Sequence, residues 1–300
     1  MTDVAERIGN WGRWGADDER GALNLLTPEV VLRATQVCRT GKVYSLALPV
    51  QSQGVPLMPY RGTPMRLTLT NHTDDEMFEA FGGKDVGANE DVLVLASHNE
   101  THMDALCHVH HEDQLYNGFP ADSMRTNAGA QRCGIDKMRW IVGRAVLLDF
   151  PAWRGVDVLP GGHVITGDEI TECAAAQGVT LGAGDIVLVR TGWLDGYMAD
   201  QSSVPMEAQA GLGLDAAKLL ASLDVAAVGA DNSAVESIPF DGGDFLCVHI
   251  ELLVRRGVPL LEHLVLGEMA RDRVYESLLV VAPLPVTGAT GSPVNPIAIG

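Results

Sequence analysis

Three histidines and one aspartate lie within eleven residues of one another: His98, His102, Asp104 and His108. Neutral imidazole nitrogens and carboxylate oxygens are the ligands expected for zinc or manganese. His102 and Asp104 are two residues apart, so their side chains point to the same side of an extended backbone. His98 and His102 are four apart, which also suits one face of a helical turn. The segment predicts a metal or catalytic site, with a solvated polar loop as the alternative, and its spacing does not identify the metal.

An apolar run, residues 92–96, comes directly before this cluster. Its length and its β-branched residues predict a buried strand inside a sheet, which would deliver His98 to the edge of that sheet. Cys107 lies between Asp104 and His108, where a catalytic thiol beside a histidine is one interpretation. A small buried side chain is the stronger interpretation, because free cysteines are commonly part of the core.

A second stretch, about 140 positions later, places a histidine and a glutamate in apolar surroundings. His249 falls on the core-facing side of a predicted helix that ends at Gly257, and Glu262 follows a short predicted strand, residues 258–261. Both side chains would be costly to bury without a partner, and a metal ion would supply one. The other ionisable side chains here are expected to be exposed or hydrogen-bonded structurally: Glu251, His263 and Glu268.

Helix and strand signals alternate along most of the chain. Thr27 and Pro28 predict the N-cap and first residue of a helix that runs to about Cys38. Thr166 begins a second predicted helix, which ends at Gly178. Further elements are predicted as strands at 43–50, 65–70, 142–149, 184–190, 225–230 and 278–282, and as a helix at 215–220. This alternation favours an α/β core with mixed strand pairing.

Three segments fall outside this alternation. Residues 1–27 form a predicted N-terminal arm, in which Trp11 and Trp14 would anchor the arm on the body of the same or a neighbouring subunit. Residues 54–64 are too apolar for a linker and are predicted to cover a pocket, whereas residues 73–90 are acidic and contain several glycines, which predicts an exposed insertion.

Composition excludes several classes of partner. The formal net charge is −18, with 39 acidic residues against 21 lysines and arginines, so a nucleic-acid backbone is not expected as a partner. No apolar run approaches the roughly 18 to 20 residues of a membrane span, so no membrane partner is expected either. The polar start at residues 1–7 does not resemble a signal peptide, and a cytoplasmic location is expected.

Motifs for other chemistries are missing from the sequence. The five cysteines are scattered and form no CxxC pair, so neither a disulfide framework nor a thiolate zinc cage is indicated. The chain contains no GxxxxGK[ST], no GxGxxG and no GxSxG, which argues against a phosphate-binding loop and a serine nucleophile elbow.

The segment from His98 to His108 resembles the HxGTHxDxPxH signature of the metal-dependent cyclase family, which includes bacterial kynurenine formamidase and isatin hydrolase. His249 and Glu262, with the apolar residues between them, are similar to the distal histidine and glutamate of that family. The segments 10–15 and 291–296 also look like those of its longer bacterial members, so the resemblance covers most of the chain. The chain departs from the signature at Glu100, where the family has glycine, and at Leu106, where it has proline.

This resemblance implies a swivelling β/β/α fold, with a mixed sheet or barrel-like core flanked by helices, in a single cyclase-like hydrolase domain spanning residues 1–300. It also implies a homodimer or a higher homo-oligomer such as a tetramer. One or two Zn²⁺ or Mn²⁺ ions per subunit would be held by five side chains, and His108 would be the catalytic base. The implied metal ligands are His98, His102, Asp104, His249 and Glu262.

The resulting hypothesis is a metal-dependent amidohydrolase acting on a small molecule. Metal-activated water would cleave a C–N bond in an aryl formamide or a cyclic amide, such as an N-formylkynurenine-like or isatin-like substrate. The alternatives are a hydrolase of another cyclic amide or lactone, and a homologue that binds a metal or ligand without catalysis. The departures at Glu100 and Leu106 leave the substrate open.

Overall fold

A mixed nine-stranded sheet, curled and flanked by helices, forms the centre of the protein. The computed structural model describes residues 9–300, except for the side chain of Asp75. The strands are β1 (Val43–Ser45), β2 (Met65–Thr70), β3 (Glu90–Val94), β4 (His102–Asp104), β5 (Met124–Arg125), β6 (Gly129–Ala130), β7 (Ile141–Asp149), β8 (Val164–Ile165), β9 (Ile186–Arg190), β10 (Gly211–Leu212), β11 (Ala227–Ala230), β12 (Leu260–Glu262), β13 (Glu276–Val281), β14 (Gly291–Pro293) and β15 (Ile297–Ile299).

The α-helices are short and lie between the strands. They are α1 (Pro28–Ala34), α2 (Asp75–Ala80), α3 (Phe150–Arg154), α4 (Gly167–Gln177), α5 (Trp193–Ala199), α6 (Leu214–Ser222), α7 (Cys247–His249) and α8 (Gly267–Arg271). Helix α7 continues directly into a π-helix, Ile250–Arg256. Among residues 9–300, no helix combines the length and the apolar character needed to cross a membrane.

The order of strands in the central sheet is β1, β15, β13, β7, β9, β11, β12, β4, β14. Strands β7, β9, β11 and β12 pair in parallel, and the pairs on either side of this group are antiparallel. The parallel strands are apolar on both faces, which is typical of strands covered by helices on each side. The expected mixed α/β sheet is therefore confirmed, and its parallel strands form the core.

Local sequence signals set the helix ends as expected. The Thr27 side chain accepts a hydrogen bond from the Val30 backbone N–H, with Pro28 at the first helical position. Helix α1 ends at Ala34, earlier than predicted, and the chain continues as a 3₁₀ turn before Cys38. Thr166 forms a reciprocal capping box with helix α4.

The prediction of a buried strand at residues 92–96 is wrong. Strand β3 ends at Val94, and all five of its residues are exposed. It pairs only with β2, in a two-stranded hairpin separate from the central sheet. An apolar run of this length fits either a sheet interior or an exposed ribbon, and the layers packed around it decide between the two. The acidic insertion at 73–90 lies within this hairpin and is largely exposed, as predicted.

The described part of the N-terminal arm packs on the same chain. The Trp11 indole N–H donates to the Val254 carbonyl oxygen at 2.7 Å, and the Asn10 side chain donates to the Arg256 carbonyl oxygen at 2.9 Å. Gly21 and Gly257, both with positive φ, approach so closely that a Cβ on Gly21 would lie 2.1 Å from the Gly257 carbonyl oxygen. Residues 1–8, including the whole polar start, lie outside the described residues.

Candidate metal centre

Strand β4 carries two of the predicted ligands on one face. His102 and Asp104 are each 1% exposed, and His102 Nε2 lies 3.6 Å from Asp104 Oδ1. Strand β12 pairs with β4 so that Glu262 lies directly opposite His102. Glu262 Oε2 is consequently 3.2 Å from His102 Nε2. The pairing of two strands that are distant in sequence thus brings three ionisable side chains together.

His249 reaches the same point from α7. Its Nε2 atom lies 3.7 Å from Asp104 Oδ2 and 3.4 Å from Glu262 Oε1, and the residue is 3% exposed. The predicted helix around His249 exists, although most of its later part is a π-helix that ends at Gly257 in the left-handed conformation. The two stretches identified in the sequence therefore meet at one site.

His98 lies in the turn before β4, and not on a helix with His102, so the helical alternative is wrong. His98 Nδ1 is 2.7 Å from Asp104 Oδ1, and its Nε2 is 2.9 Å from Thr290 Oγ1. His108 lies just beyond β4, with its ring stacked on His98 at 4.0 Å between centroids and its Nε2 4.0 Å from Asp104 Oδ1. The other five predicted site residues thus surround the Asp104 carboxylate.

Two overlapping groups of side chains have the geometry to hold a divalent metal. Ligand atoms of His98, Asp104 and His108 lie within 4.8 Å of one another, and so do those of His102, Asp104 and Glu262. His102 Nε2 and Asp104 Oδ2 are buried and make no hydrogen bond within residues 9–300. Leaving such atoms unpaired is costly, and a cation between them would remove that cost. The donor set therefore fits a metal, and Asp104 belongs to both groups.

Electrostatics keep the two carboxylates ionised. Burial alone would raise the pKa of Asp104, but the surrounding histidines, His108 and His98 first, hold this pKa far below its usual range. Burial and the Asp104 charge raise the pKa of Glu262, whereas the neighbouring His102 and His249 lower it to a net value of about 2. Two negative charges therefore lie side by side at the centre of the site.

The four histidines of the site differ in whether a hydrogen-bond acceptor holds the ring. Three have their outer ring nitrogen held by an acceptor: His249 Nδ1 by Glu236, His102 Nδ1 by the Glu100 carbonyl oxygen at 2.7 Å, and His98 Nε2 by Thr290. The ring of His108 makes no hydrogen bond to any of residues 9–300, and its side chain is 25% exposed. Burial lowers the pKa of His108 to about 4, with partial compensation by Asp104, so the ring is neutral at pH 7.

Sequence reasoning missed two side chains that support the site, Glu236 and Thr290. Glu236 is the one charged residue between Asp231 and Asp241, and this isolation in an otherwise uncharged stretch was the signal available. Thr290 lies in a glycine-rich turn and carries no comparable signal.

The two positions that depart from the signature are both buried. Leu106 is fully buried in the core. Glu100 is 2% exposed, and neither of its carboxyl oxygens has a hydrogen-bond partner within residues 9–300. Burial raises the pKa of Glu100 above its ordinary value.

The weaker candidates have structural environments. Cys107 is a buried free cysteine, and burial raises the pKa of its thiol to about 12, as suits the filler interpretation. His263 Nδ1 is 2.8 Å from the Asn99 carbonyl oxygen, and Glu251 accepts from Arg255 and Arg256. Glu268 is exposed and pairs with Lys42.

Several solved structures are similar to this chain. No curated protein matches the chain. A solved structure described as a novel cyclase is 34% identical, with 97% of each chain covered and a TM-score of 0.88. An isatin hydrolase bound to the product analogue thioisatinate is 19% identical over 86% of this chain and 91% of that chain, with a TM-score of 0.61. A "predicted metal-dependent hydrolase" from Bacillus stearothermophilus is 21% identical over 86% of this chain and 97% of that chain, with a TM-score of 0.55.

The two more distant likenesses show the fold alone, whereas the 34% identical structure is described as a cyclase, which supports an enzyme. The family model described as "Putative cyclase" matches residues 44–237, a range that contains β4 and His108. The likeness to the novel cyclase extends over 97% of the chain. The protein belongs to the cyclase family.

Proposed function

We propose that this protein is a metal-dependent hydrolase that cleaves the C–N bond of an aryl formamide or a cyclic amide, with N-formylkynurenine-like and isatin-like molecules as the substrate class. The observation that carries this proposal is the convergence of buried imidazole nitrogens and two ionised carboxylates from separate segments. Two of the converging atoms, His102 Nε2 and Asp104 Oδ2, have no hydrogen-bond partner among residues 9–300. The similarity in fold to an isatin hydrolase supports the choice of substrate class.

The proposed ligands are His98, His102, Asp104, His249 and Glu262, which would hold one or two ions of zinc or manganese. Both metals accept imidazole and carboxylate ligands, so the donor set suits either. A bound divalent cation would lower the pKa of water to roughly 7 and polarise a carbonyl oxygen. Asp104 belongs to both ligand groups, which makes it the residue able to bridge two ions.

His108 is the proposed general base. It is neutral at pH 7, it lies beside the Asp104 carboxylate, and no acceptor in the described part of the chain holds its ring. Its ring can therefore take a proton from the attacking water and return that proton to the leaving nitrogen. Asp104 would stabilise the protonated ring, because a carboxylate 4.0 Å from His108 Nε2 favours the positive charge.

The deciding experiment is His108→Ala with metal content and hydrolysis rate measured on the same sample. We expect the variant to keep its metal and to lose roughly a hundredfold or more in turnover, the usual scale for general acid–base catalysis. His110→Ala is the matched control, because His110 is an exposed histidine only two residues away. Loss of metal from His108→Ala would instead make His108 a ligand and leave the base unassigned.

The substrate class is tested by a screen of formamides, cyclic amides and lactones with metal-stripped and reconstituted protein. Hydrolysis of an aryl formamide or an isatin-like lactam that depends on added Zn²⁺ or Mn²⁺ is the expected result. Hydrolysis of lactones only would favour the other hydrolase hypothesis. Metal binding without hydrolysis of any compound would favour the non-catalytic binding protein.

We also propose that the protein is a homo-oligomer. The β2–β3 hairpin supports this proposal, because its apolar side chains Met65, Leu67 and Leu69 are each at least 50% exposed. Contiguous exposed apolar surface commonly marks a protein interface. Light scattering coupled to size exclusion should give the mass of a dimer or tetramer, and a monomer would contradict it. The single domain over residues 1–300 and the cytoplasmic location stay predictions.

A further inference from the structure

Glu236 is a fully buried carboxylate that contacts the base of the His249 side chain. Its exposed fraction is 0%, and it lies in the segment after β11, not in either stretch of proposed ligands. It accepts hydrogen bonds from the backbone N–H groups of Val248 at 3.2 Å and His249 at 3.3 Å. A third bond joins its Oε1 to His249 Nδ1. The carboxylate therefore fixes both the backbone and the ring of this one histidine.

The ring contact decides which nitrogen of His249 faces the metal centre. A neutral imidazole carries its proton on one nitrogen and a lone pair on the other. With Glu236 accepting at Nδ1, the proton stays there and the lone pair is on Nε2. Nε2 is the atom that lies 3.4 Å from Glu262 and 3.7 Å from Asp104. The orientation and tautomer of the ring thus both suit a ligand.

Glu236 differs in kind from the groups that hold the other two rings. His102 is held by the carbonyl oxygen of Glu100, and His98 by the hydroxyl of Thr290, both neutral. A carboxylate forms a stronger, charge-assisted hydrogen bond and increases the electron density on the imidazole. His249 is also the one proposed ligand that lies outside β4, the turn before β4 and β12. Strand pairing therefore does not hold this histidine in place.

We infer that Glu236 is a positioning residue that acts through His249, holding it in the metal-binding tautomer and strengthening its bond to a divalent cation. This inference rests on the proposed metal centre. A purely structural role, in which Glu236 only binds the backbone at the start of α7, predicts lower stability without a specific change in metal affinity. The two roles are therefore separable by experiment.

The first test compares Glu236→Gln with Glu251→Gln. Glu251 is the matched control, because it is a 2% exposed glutamate only two residues from His249 whose carboxylate pairs with Arg255 and Arg256 instead. Affinities for Mn²⁺ and Zn²⁺ are measured by competition with a chromophoric chelator, and folding by thermal unfolding without metal. We expect Glu236→Gln to bind metal about 10- to 100-fold more weakly than the unaltered protein, the usual effect of removing an outer-shell partner, and Glu251→Gln to bind normally.

Equal affinities in Glu236→Gln and the unaltered protein would overturn the inference alone and leave the metal centre intact. The same would follow if both variants lost affinity equally, since that would indicate general destabilisation. If the unaltered protein bound neither metal, the proposed function would fail and the inference would fail with it.

The second test can already be decided on the unaltered protein, and the two variants add a comparison. Protein labelled with ¹⁵N on histidine and loaded with Zn²⁺ should show a proton attached to His249 Nδ1, shifted far downfield by its carboxylate acceptor. Glu251→Gln should keep that signal, and Glu236→Gln should lose its shift. A His249 Nδ1 without a proton in the unaltered protein would overturn the inference.

Discussion

Strand β4 and the β2–β3 hairpin depart from the usual distribution of polar and apolar residues in opposite directions. In β4, His102 and Asp104 are each 1% exposed although both are ionisable. In the hairpin, Met65, Leu67 and Val92 are between 40% and 51% exposed although all are apolar. Strand β4 therefore buries ionisable side chains that water would solvate. The hairpin exposes apolar side chains that usually lie in a core.

The difference indicates that the two regions suit different kinds of partner. Buried polar atoms without hydrogen bonds are costly, and the proposed cation between the β4 side chains would remove that cost. An isolated two-stranded hairpin is marginally stable, and an exposed apolar face of this kind favours contact with another protein surface. Buried ionisable residues and exposed apolar residues are thus more informative about function than residues with the usual exposure.

The largest expected effect is at the carboxylate shared by both ligand groups. Asp104→Asn removes its charge, and we expect metal affinity to fall by more than about 100-fold, because even outer-shell changes cost roughly 10- to 100-fold. Metal content measured by emission spectrometry after dialysis checks this. Asp113→Asn, at an exposed aspartate of the following loop, should retain the metal of the unaltered protein. Retention of metal by Asp104→Asn would show that the buried carboxylate of β4 is not needed to hold a cation.

Replacing one methionine in β4 and one in the hairpin by alanine tests the difference in burial between the two regions. Met103 lies in β4 between the two ligands and is 0% exposed, whereas Met65 in β2 is 50% exposed. Met103→Ala should lower the free energy of unfolding by about 2 to 5 kcal/mol, the range for buried methionines. Met65→Ala should change it by less than about 0.5 kcal/mol when measured by urea denaturation of dilute monomer. Equal losses would show that the hairpin face is packed within its own chain.

A third buried carboxylate, that of Asp231, has hydrogen-bond partners. It therefore shows the effect of burial without the effect of a missing partner. Asp231 is 2% exposed, but it accepts from the Thr191 hydroxyl at 2.7 Å and from the Thr191 and Gly192 N–H groups at 2.8 Å each. Burial raises its pKa from 3.8 to about 6, against these hydrogen bonds. The folded state therefore binds more protons than the unfolded state between these values, and stability falls as the pH rises through them.

The expected loss from Asp231 is about 3 kcal/mol over the whole titration, of which about 2 kcal/mol falls between pH 4 and pH 6, because each unit of pKa shift corresponds to about 1.4 kcal/mol. Asp231→Asn cannot titrate, so its free energy of unfolding should decline less over this interval. Urea denaturation at several pH values gives both slopes. Identical slopes for the two proteins would mean that the Asp231 carboxylate titrates normally in the folded state.

The smallest effect is expected at Cys107, next to the proposed base. Its buried thiol has a pKa raised to about 12, so almost no thiolate nucleophile is present at neutral pH. Cys107→Ala should keep the hydrolysis rate within about twofold, since only the thiolate would be reactive. A loss comparable to that of His108→Ala would return Cys107 to the list of catalytic candidates.

Several features followed from the sequence alone because their causes are local. The start of α1 at Thr27 and Pro28 and the capping box of α4 depend on side chains within one turn of the helix. The same-side placement of His102 and Asp104 follows from the two-residue period of a strand. The family resemblance then named His249 and Glu262 as members of one site before any contact between the segments was visible.

Only the tertiary structure decided which distant segments pair and which surfaces are covered. The register that sets Glu262 opposite His102, the contact of Glu236 with His249, and the exposure of the hairpin all depend on residues far apart in the chain. Hydrophobic pattern specifies that a segment prefers burial, but not which layer covers it. That choice is made by the packing of the whole sheet, which is why the apolar run before His98 was predicted in the core and lies on the surface.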